Sequence, residues 1–287
     1  MISINTNYGG IFAAKASSQA TLRVDQAMER LSTGKRINHA RDDSAGQAIA
    51  TRLAAEIEGL AMASRNVADG QSLVDTAESA LVETHALLLR MREISVQAAN
   101  GTLSTADNTA LNAEFQQLVA EIDRISDNTS WAGTKLLNGD STGNANTSAT
   151  FAFQAGVNNT TADTISVDIS NADAETLGVF VDNSGNNNIT LTDATNAGAA
   201  IVAVDAAIAA VSTERGKLGA VSNRMSSTMA NLDQITVNLT ASKGRIEDAD
   251  FAAETGNLAK GQILQQAATA MLAQANASKQ QVLTLIR

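Results

Sequence analysis

The sequence predicts a mainly α protein: a long antiparallel helical coiled-coil rod built from N- and C-terminal segments, with a small β-hairpin-containing central insert. Three observations carry this. The 287 residues include no Pro and no Cys, whereas average usage places ~14 prolines in a chain of this length. Apolar residues recur with 4-3 spacing in both flanks. The middle lacks basic residues and alternates polar with apolar side chains between turn-formers.

The helical flanks come first. Missing Pro suits long helices, because its ring removes a hydrogen bond and clashes with the preceding turn. Ala77, Leu81, Thr84, Leu88, Met91, Ser95 and Ala98 follow 4-3 spacing, and Leu111, Phe115, Leu118, Ile122 and Ile125 do so after a break at Asn100-Gly101-Thr102. In the second flank Ile201, Val204, Ile208 and Val211 begin a run that resumes at Leu218, Met225, Met229, Leu232 and Leu239. Such spacing places an apolar seam on one side of each helix. An ordinary antiparallel bundle has the same spacing, which alone does not separate the two. Of the 287 residues 53 are Ala, so little large apolar area is available for a globular core, and helices buried against one another fit better.

The insert differs in charge. No Lys or Arg lies between Lys135 and Arg215, while that stretch holds nine acids of the chain's net −10. Gly, Asn, Thr and Ser concentrate there, separating three alternating runs: Thr150–Gln154, Thr164–Ile169 and Asn188–Leu191. Each reads as a half-buried strand. The acidic surface is a solubility feature rather than a cation site.

The extreme ends are weakly amphipathic and rich in Ala and Gln, with apolar positions at Ile4, Tyr8, Ile11, Leu22, Met28 and Leu31, and again at Ile263, Leu264, Ala267, Met271, Val282, Leu283, Leu285 and Ile286. Isolated helices of this kind are marginal in water. The expectation is that both ends fray in the monomer and order with a partner; a terminal helix docked on its own rod is the alternative. The first seven residues lack a basic stretch followed by an apolar run, so no cleavable secretory signal is expected. No run approaches 18 consecutive apolar residues, which argues against a membrane span.

At this point the motifs become specific. Leu31-Ser32-Thr33-Gly34-Lys35-Arg36-Ile37-Asn38, then Ala40-Arg41-Asp42-Asp43-Ser44-Ala45-Gly46, resemble the N-terminal signature of bacterial flagellin. Asp75-Thr76-Ala77-Glu78-Ser79-Ala80-Leu81 and the run from Met91 to Asn100 continue it; Arg245-Ile246-Glu247-Asp248-Ala249-Asp250-Phe251 and the final six residues resemble its C-terminal half. The resemblance covers residues 1 to about 157 and about 196 to 287. It implies a structural subunit that polymerises into the helical filament used for swimming, or alternatively a minor filament or hook-filament junction subunit. It further implies an inner coiled coil from terminal helices (1–44 and 243–287), a helical rod (45–139 and 196–242) and a short variable β-rich part (140–195), with no large outer domain.

The same resemblance implies assembly residues Ile4, Ile11, Leu22, Leu31, Arg36, Leu264, Met271, Leu283 and Ile286. It implies further copies of the chain as the main partner, together with the flagellar export apparatus, a C-terminal chaperone, filament cap and hook-junction proteins. A host Toll-like receptor 5 is implied at Arg90, Ile94 and Glu114. The location implied is secreted and extracellular, in the filament.

Enzyme chemistry finds little support. No phosphate-cradling loop and no His-Glu-x-x-His are present, and the two His, His39 and His85, give no imidazole cluster. No catalytic, metal or cofactor residues are expected. Arg41-Asp42-Asp43 reads as charges capping a turn rather than a metal pair. Lys35, Arg36 and Arg41 lack interleaved aromatics, so nucleic acid is not an expected partner. An enzyme or ligand-binding use of the insert needs convergent polar groups in an apolar pocket, for which a basic-free Thr/Asn-rich segment is a poor candidate.

Overall fold

The computed structural model describes residues 6–139, 148–180 and 189–285, with side chains as far as 278. Five helices dominate: α1 (Tyr8–Thr33), α2 (Ser44–Ala98), α3 (Thr105–Asn128), α4 (Ala194–Glu247) and α5 (Phe251–Leu285). Two small antiparallel hairpins accompany them, β1 (Ser130–Trp131) with β2 (Thr134–Lys135), and β3 (Ala149–Gln154) with β4 (Thr164–Ile169). The fold class is thus the mainly α one expected. Two compact units form, one from Met1–Ile57 with Val237–Arg287 and the other from Glu58–Thr236.

In the second unit the seam of α2 is a strict heptad. Leu60, Val67, Val74, Leu81, Leu88 and Ser95 hold one position; Ala63, Gly70, Ala77, Thr84, Met91 and Ala98 hold the other, and all are buried. On α4, Ala197, Val204, Val211, Leu218, Met225 and Leu232 repeat at seven residues, with Ala200, Ala207 and Glu214 between them, again all buried. A seven-residue repeat keeps one stripe facing a partner helix. The two helices run antiparallel, as Arg92 meets Asp205 at 2.6 Å, Arg215 meets Glu78 at 2.9 Å and Ser64 meets Asp233 at 3.5 Å. An 18-residue window of α4 has a mean hydropathy of 1.6, enough by length and composition to cross a membrane. The heptad burial supplies the other reason for that composition.

Helix α3 starts where the chain breaks at Asn100–Thr102. Ser104 and Asp107 form a capping box, the Ser104 hydroxyl accepting the Asp107 N–H and the Asp107 carboxylate accepting the Ser104 N–H. The helix buries Phe115, Val119 and Ile122, while Leu118 and Ile125 of the expected seam stay half-buried.

The pair β3–β4 is the hairpin expected, with Phe151 opposite Val167 and Phe153 opposite Ile165. It lies on α2: Phe153 approaches Gly70, and the Asn66 amide donates to the Gln154 carbonyl at 3.2 Å. Two readings of the insert need correction. The described part of the third run, Ile189–Leu191, is not a strand; Leu191 instead donates its N–H to the Asn112 side chain at 3.0 Å. The β1–β2 hairpin was not anticipated. Its turn places Ala132 at φ 48° and Gly133 at φ 85°, the paired left-handed residues of a tight hairpin, and Ala at such a site sends no turn signal.

Candidate functional site

Small residues build the first unit. Helices α1 and α5 pack antiparallel through Ala13, Ala20, Val24 and Ala27 on one side and Glu254, Gly261 and Ala268 on the other, all buried. A Cβ placed on Gly261 sits 2.8 Å from Val24 Cγ2, so only Gly permits this approach. Polar contacts fix the register along its length. Asn7 accepts the Gly10 N–H at 3.0 Å, capping α1, and donates to Asn276 at 3.2 Å. Gln265 donates to the Thr21 hydroxyl at 3.1 Å, and Arg30 bonds Glu254 at 2.9 Å.

Because small side chains fill that interface, the large apolar ones point elsewhere. Ile11 is 60% exposed, Phe12 77%, Leu22 65% and Met271 63%; Tyr8, Met28, Phe251, Ile263 and Leu264 are exposed too. This separates two properties the sequence reading joined. The ends were expected to order only with a partner; here α1 and α5 already pair within one chain, through Ala and Gly. What remains unpartnered is an apolar surface on both helices. Between them Phe12, Ala16, Leu264, Ala267 and Met271 line an apolar groove of about 420 Å³.

The expected assembly residues thus divide. Ile11, Leu22, Leu264 and Met271 lie on the exposed apolar surface, and Leu31 is half-buried. Ile4 and Ile286 lie outside the described residues, and so does the side chain of Leu283. Phe12 and Ile263 belong to the same surface but were not among the expected residues; Phe12 adjoins Ile11, and that adjacency was the available signal.

Arg36 serves a different purpose. It donates from Nη2 to the Ile246 carbonyl at 2.8 Å and from its backbone N–H to the Glu247 carbonyl at 2.7 Å. Ala249 N–H donates back to the Gly34 carbonyl at 2.9 Å, and Lys35 lies opposite Asp248 in an antiparallel bridge. Gly34, at φ 70°, ends α1 in the left-handed conformation that lets the chain turn into this bridge. The turn after it is tied by acids, as expected from Arg41-Asp42-Asp43. Asp42 accepts the N–H groups of His39 and Asn38, which hold its carboxyl below the usual aspartate value, the His39 bond foremost. Asp43 accepts the Gly46 N–H at 2.8 Å at the start of α2. His39 lies 2.8 Å from Glu29. Among the described residues no cluster of three or more His, Asp or Glu is placed to hold a metal ion.

In the second unit the three expected receptor contacts do not share one surface. Arg90 donates from Nη2 to Glu114 at 2.8 Å and from Nη1 to Glu93 at 3.0 Å, both in the open. The carboxylates, Glu114 first, hold its guanidinium above the usual arginine value. Ile94 is 1% exposed. Its expected place beside Arg90 as an exposed contact is corrected: the side chain is buried in the core of the unit.

Comparison with known proteins completes the description. Residues 4–142 match the model of the bacterial flagellin N-terminal helical region, and residues 201–286 that of the C-terminal helical region. A flagellin of Halalkalibacterium halodurans is 45% identical over 91% of this chain and 91% of its own length. A flagellin of Bacillus subtilis is 42% identical over 99% of each chain. Among solved structures, a Vibrio parahaemolyticus protein assigned as flagellar hook-associated superimposes with a TM-score of 0.59 at 18% identity, covering 72% of this chain and 100% of that one; this likeness concerns the fold alone. With matched helical regions at both ends and relatives aligned almost end to end, the chain belongs to the bacterial flagellin family.

Proposed function

We propose that the chain is a structural subunit that polymerises with copies of itself into the bacterial flagellar filament, and that the exposed apolar face of α1 and α5 is its assembly element. The family is one of structural filament proteins, not enzymes. The observation that supports the assembly element is the outward set Ile11, Phe12, Leu22, Ile263 and Met271 beside an apolar groove. Each large apolar side chain removed from water contributes about 1.5–3 kcal/mol. Several per subunit, repeated through contacts that do not close on themselves, drive an open helical polymer.

The finer parts of the reading belong to the same proposal. The terminal helices, 1–44 and 243–287, form an inner coiled coil; 45–139 and 196–242 form an outer rod; 140–195 is the variable part. Ile4, Leu283 and Ile286 join the inner contacts. The chain is exported unfolded through the flagellar export apparatus, guarded by a chaperone on its C-terminal end, and assembles outside the cell beneath a cap and above junction proteins. Recognition by Toll-like receptor 5 rests on the paired Arg90 and Glu114, with Ile94 withdrawn into the core.

Seeded polymerisation of the purified chain, followed by sedimentation and negative-stain imaging, tests the central claim. Helical filaments incorporating the chain are the expected result. A chain that stays monomeric beside competent seeds overturns it.

A further inference from the structure

A second, polar pocket of about 210 Å³ opens between α1 and α5, lined by Arg23, Gln26 and Arg30 from one helix and by Glu254, Asn257 and Lys260 from the other. Its charge is unbalanced: three cations against one carboxylate. That carboxylate is already engaged, accepting from Arg30 Nη1 at 2.9 Å and from Asn257 Nδ2 at 3.2 Å. Arg23 and Lys260 pair with no carboxylate among the described residues. The Nε of Arg30 is buried and has no acceptor among those residues. A buried donor left without an acceptor is unfavourable, and more so on a charged group. Ala27 and Gly261 keep this part of the helix pair narrow, so the cationic groups converge rather than splay.

We infer that this pocket is a binding site for a free tetrahedral oxyanion, of which inorganic phosphate is the simplest. The donors come from two helices and are of three kinds: guanidinium forks, an ammonium and the Gln26 amide. Guanidinium groups match pairs of oxygens on one anion, which a spherical halide does not offer. The pocket holds a phosphate with room for accompanying water. The Arg30–Glu254 pair orients the guanidinium so that its Nε stays available to the guest. A carboxylate from a second copy of the chain offers related chemistry, and a measurement on monomer separates the two.

The test is calorimetric titration of sodium phosphate into the full-length monomer at neutral pH, with sodium chloride at matched ionic strength as control. A thermal melt in each salt provides an independent readout. Arg23→Ala with Lys260→Ala removes two exposed cations that have no structural partner, and circular dichroism verifies the fold. The site predicts one saturable phosphate per chain with a dissociation constant on the order of 1 mM, weakened by about tenfold or more in the double variant. The melting point should rise in phosphate and not in chloride, and only for the unaltered chain. Absence of saturable binding to the monomer overturns the inference, as does equal affinity in the double variant. Loss of polymerisation in that variant without any phosphate binding by the original chain assigns the pocket to a neighbour's carboxylate and equally overturns it.

Discussion

Ser170 donates both its backbone N–H and its hydroxyl to the carboxylate of Glu214, at 3.0 and 2.9 Å. Glu214 is an acid in a seam position of α4, and it is buried. Ser170 follows directly on strand β4, so this one carboxylate ties the end of the hairpin to the helix; Lys217 adds a third contact at 3.0 Å. A charge in an apolar seam is tolerated only when its oxygens are met.

Replacing Glu214 with Ala therefore leaves the Ser170 N–H and hydroxyl without their acceptor. The expected loss is about 1–3 kcal/mol of stability in the second unit. Urea denaturation checks it: the midpoint should fall while the slope of the transition stays the same.

Asp123 gives a pH-dependent case with the opposite sign to most carboxylates. Burial raises its value above that of an ordinary aspartate; the Ala174 N–H, donating at 2.9 Å, opposes this, and the nearby charges of Asp173, Asp127 and Glu175 add to it. An acid whose folded value is raised binds more protons when folded, so its ionisation weakens the fold at neutral pH and the penalty fades on acidification. Asp123→Asn keeps an oxygen to accept from Ala174 and removes the charge. The variant should melt higher than the parent at pH 7. The difference should shrink as pH falls through the raised value and vanish below an unfolded aspartate's ~3.9. Melting curves across that range measure it, and an advantage that persists in acid contradicts the assignment.

The interface of α1 with α5 should break at one glycine. A Cβ on Gly261 meets Val24 Cγ2 at 2.8 Å, and the larger side chain of Gly261→Val has no space between the helices. Overpacking of this kind costs about 1–3 kcal/mol, and the pair has few large apolar contacts with which to resist it. Amide hydrogen exchange should show lost protection in residues 13–27 and 254–268, with α2 and α4 unchanged between 60 and 98 and between 197 and 232.

The outward face should behave oppositely. Ile11→Asp with Leu22→Asp touches side chains already in water, so circular dichroism and the melting point of the monomer should change little, within about 0.5 kcal/mol. In a polymer the two charges enter a desolvated contact without partners. Seeded chains should then remain in the supernatant. Normal filaments from this variant exclude α1 as the assembly element.

These four cases also mark what the sequence made legible. The seams of α2 and α4 were readable because Leu, Val and Met recur every seven residues and are the buried groups. The same reading failed on α1 and α5 for a physical reason: their mutual interface is Ala and Gly, which carry almost no periodic signal, while the conspicuous Ile, Leu and Met face outward. The assembly residues were found because they are conspicuous, and the pairing was missed because it is not. Ile94 illustrates a different limit. It lies one position before Ser95 of the heptad, yet it is buried, because α2 contributes to the core on more than its seam. Spacing along a helix reports one stripe; it does not report a second contact made by α3 and the insert.

The bridge between residues 34–36 and 247–249 has a mechanical consequence. The two segments run antiparallel and exchange N–H···O bonds at Arg36–Glu247 and Ala249–Gly34, with the Arg36 guanidinium on the Ile246 carbonyl beside them. A tension applied along the two segments in opposite directions strains these bonds in shear, so they share the load and yield together instead of opening one after another. The connections leaving α1 and entering α5 are therefore clamped as one joint, and a pull on either terminus is carried through it by both chain segments at once.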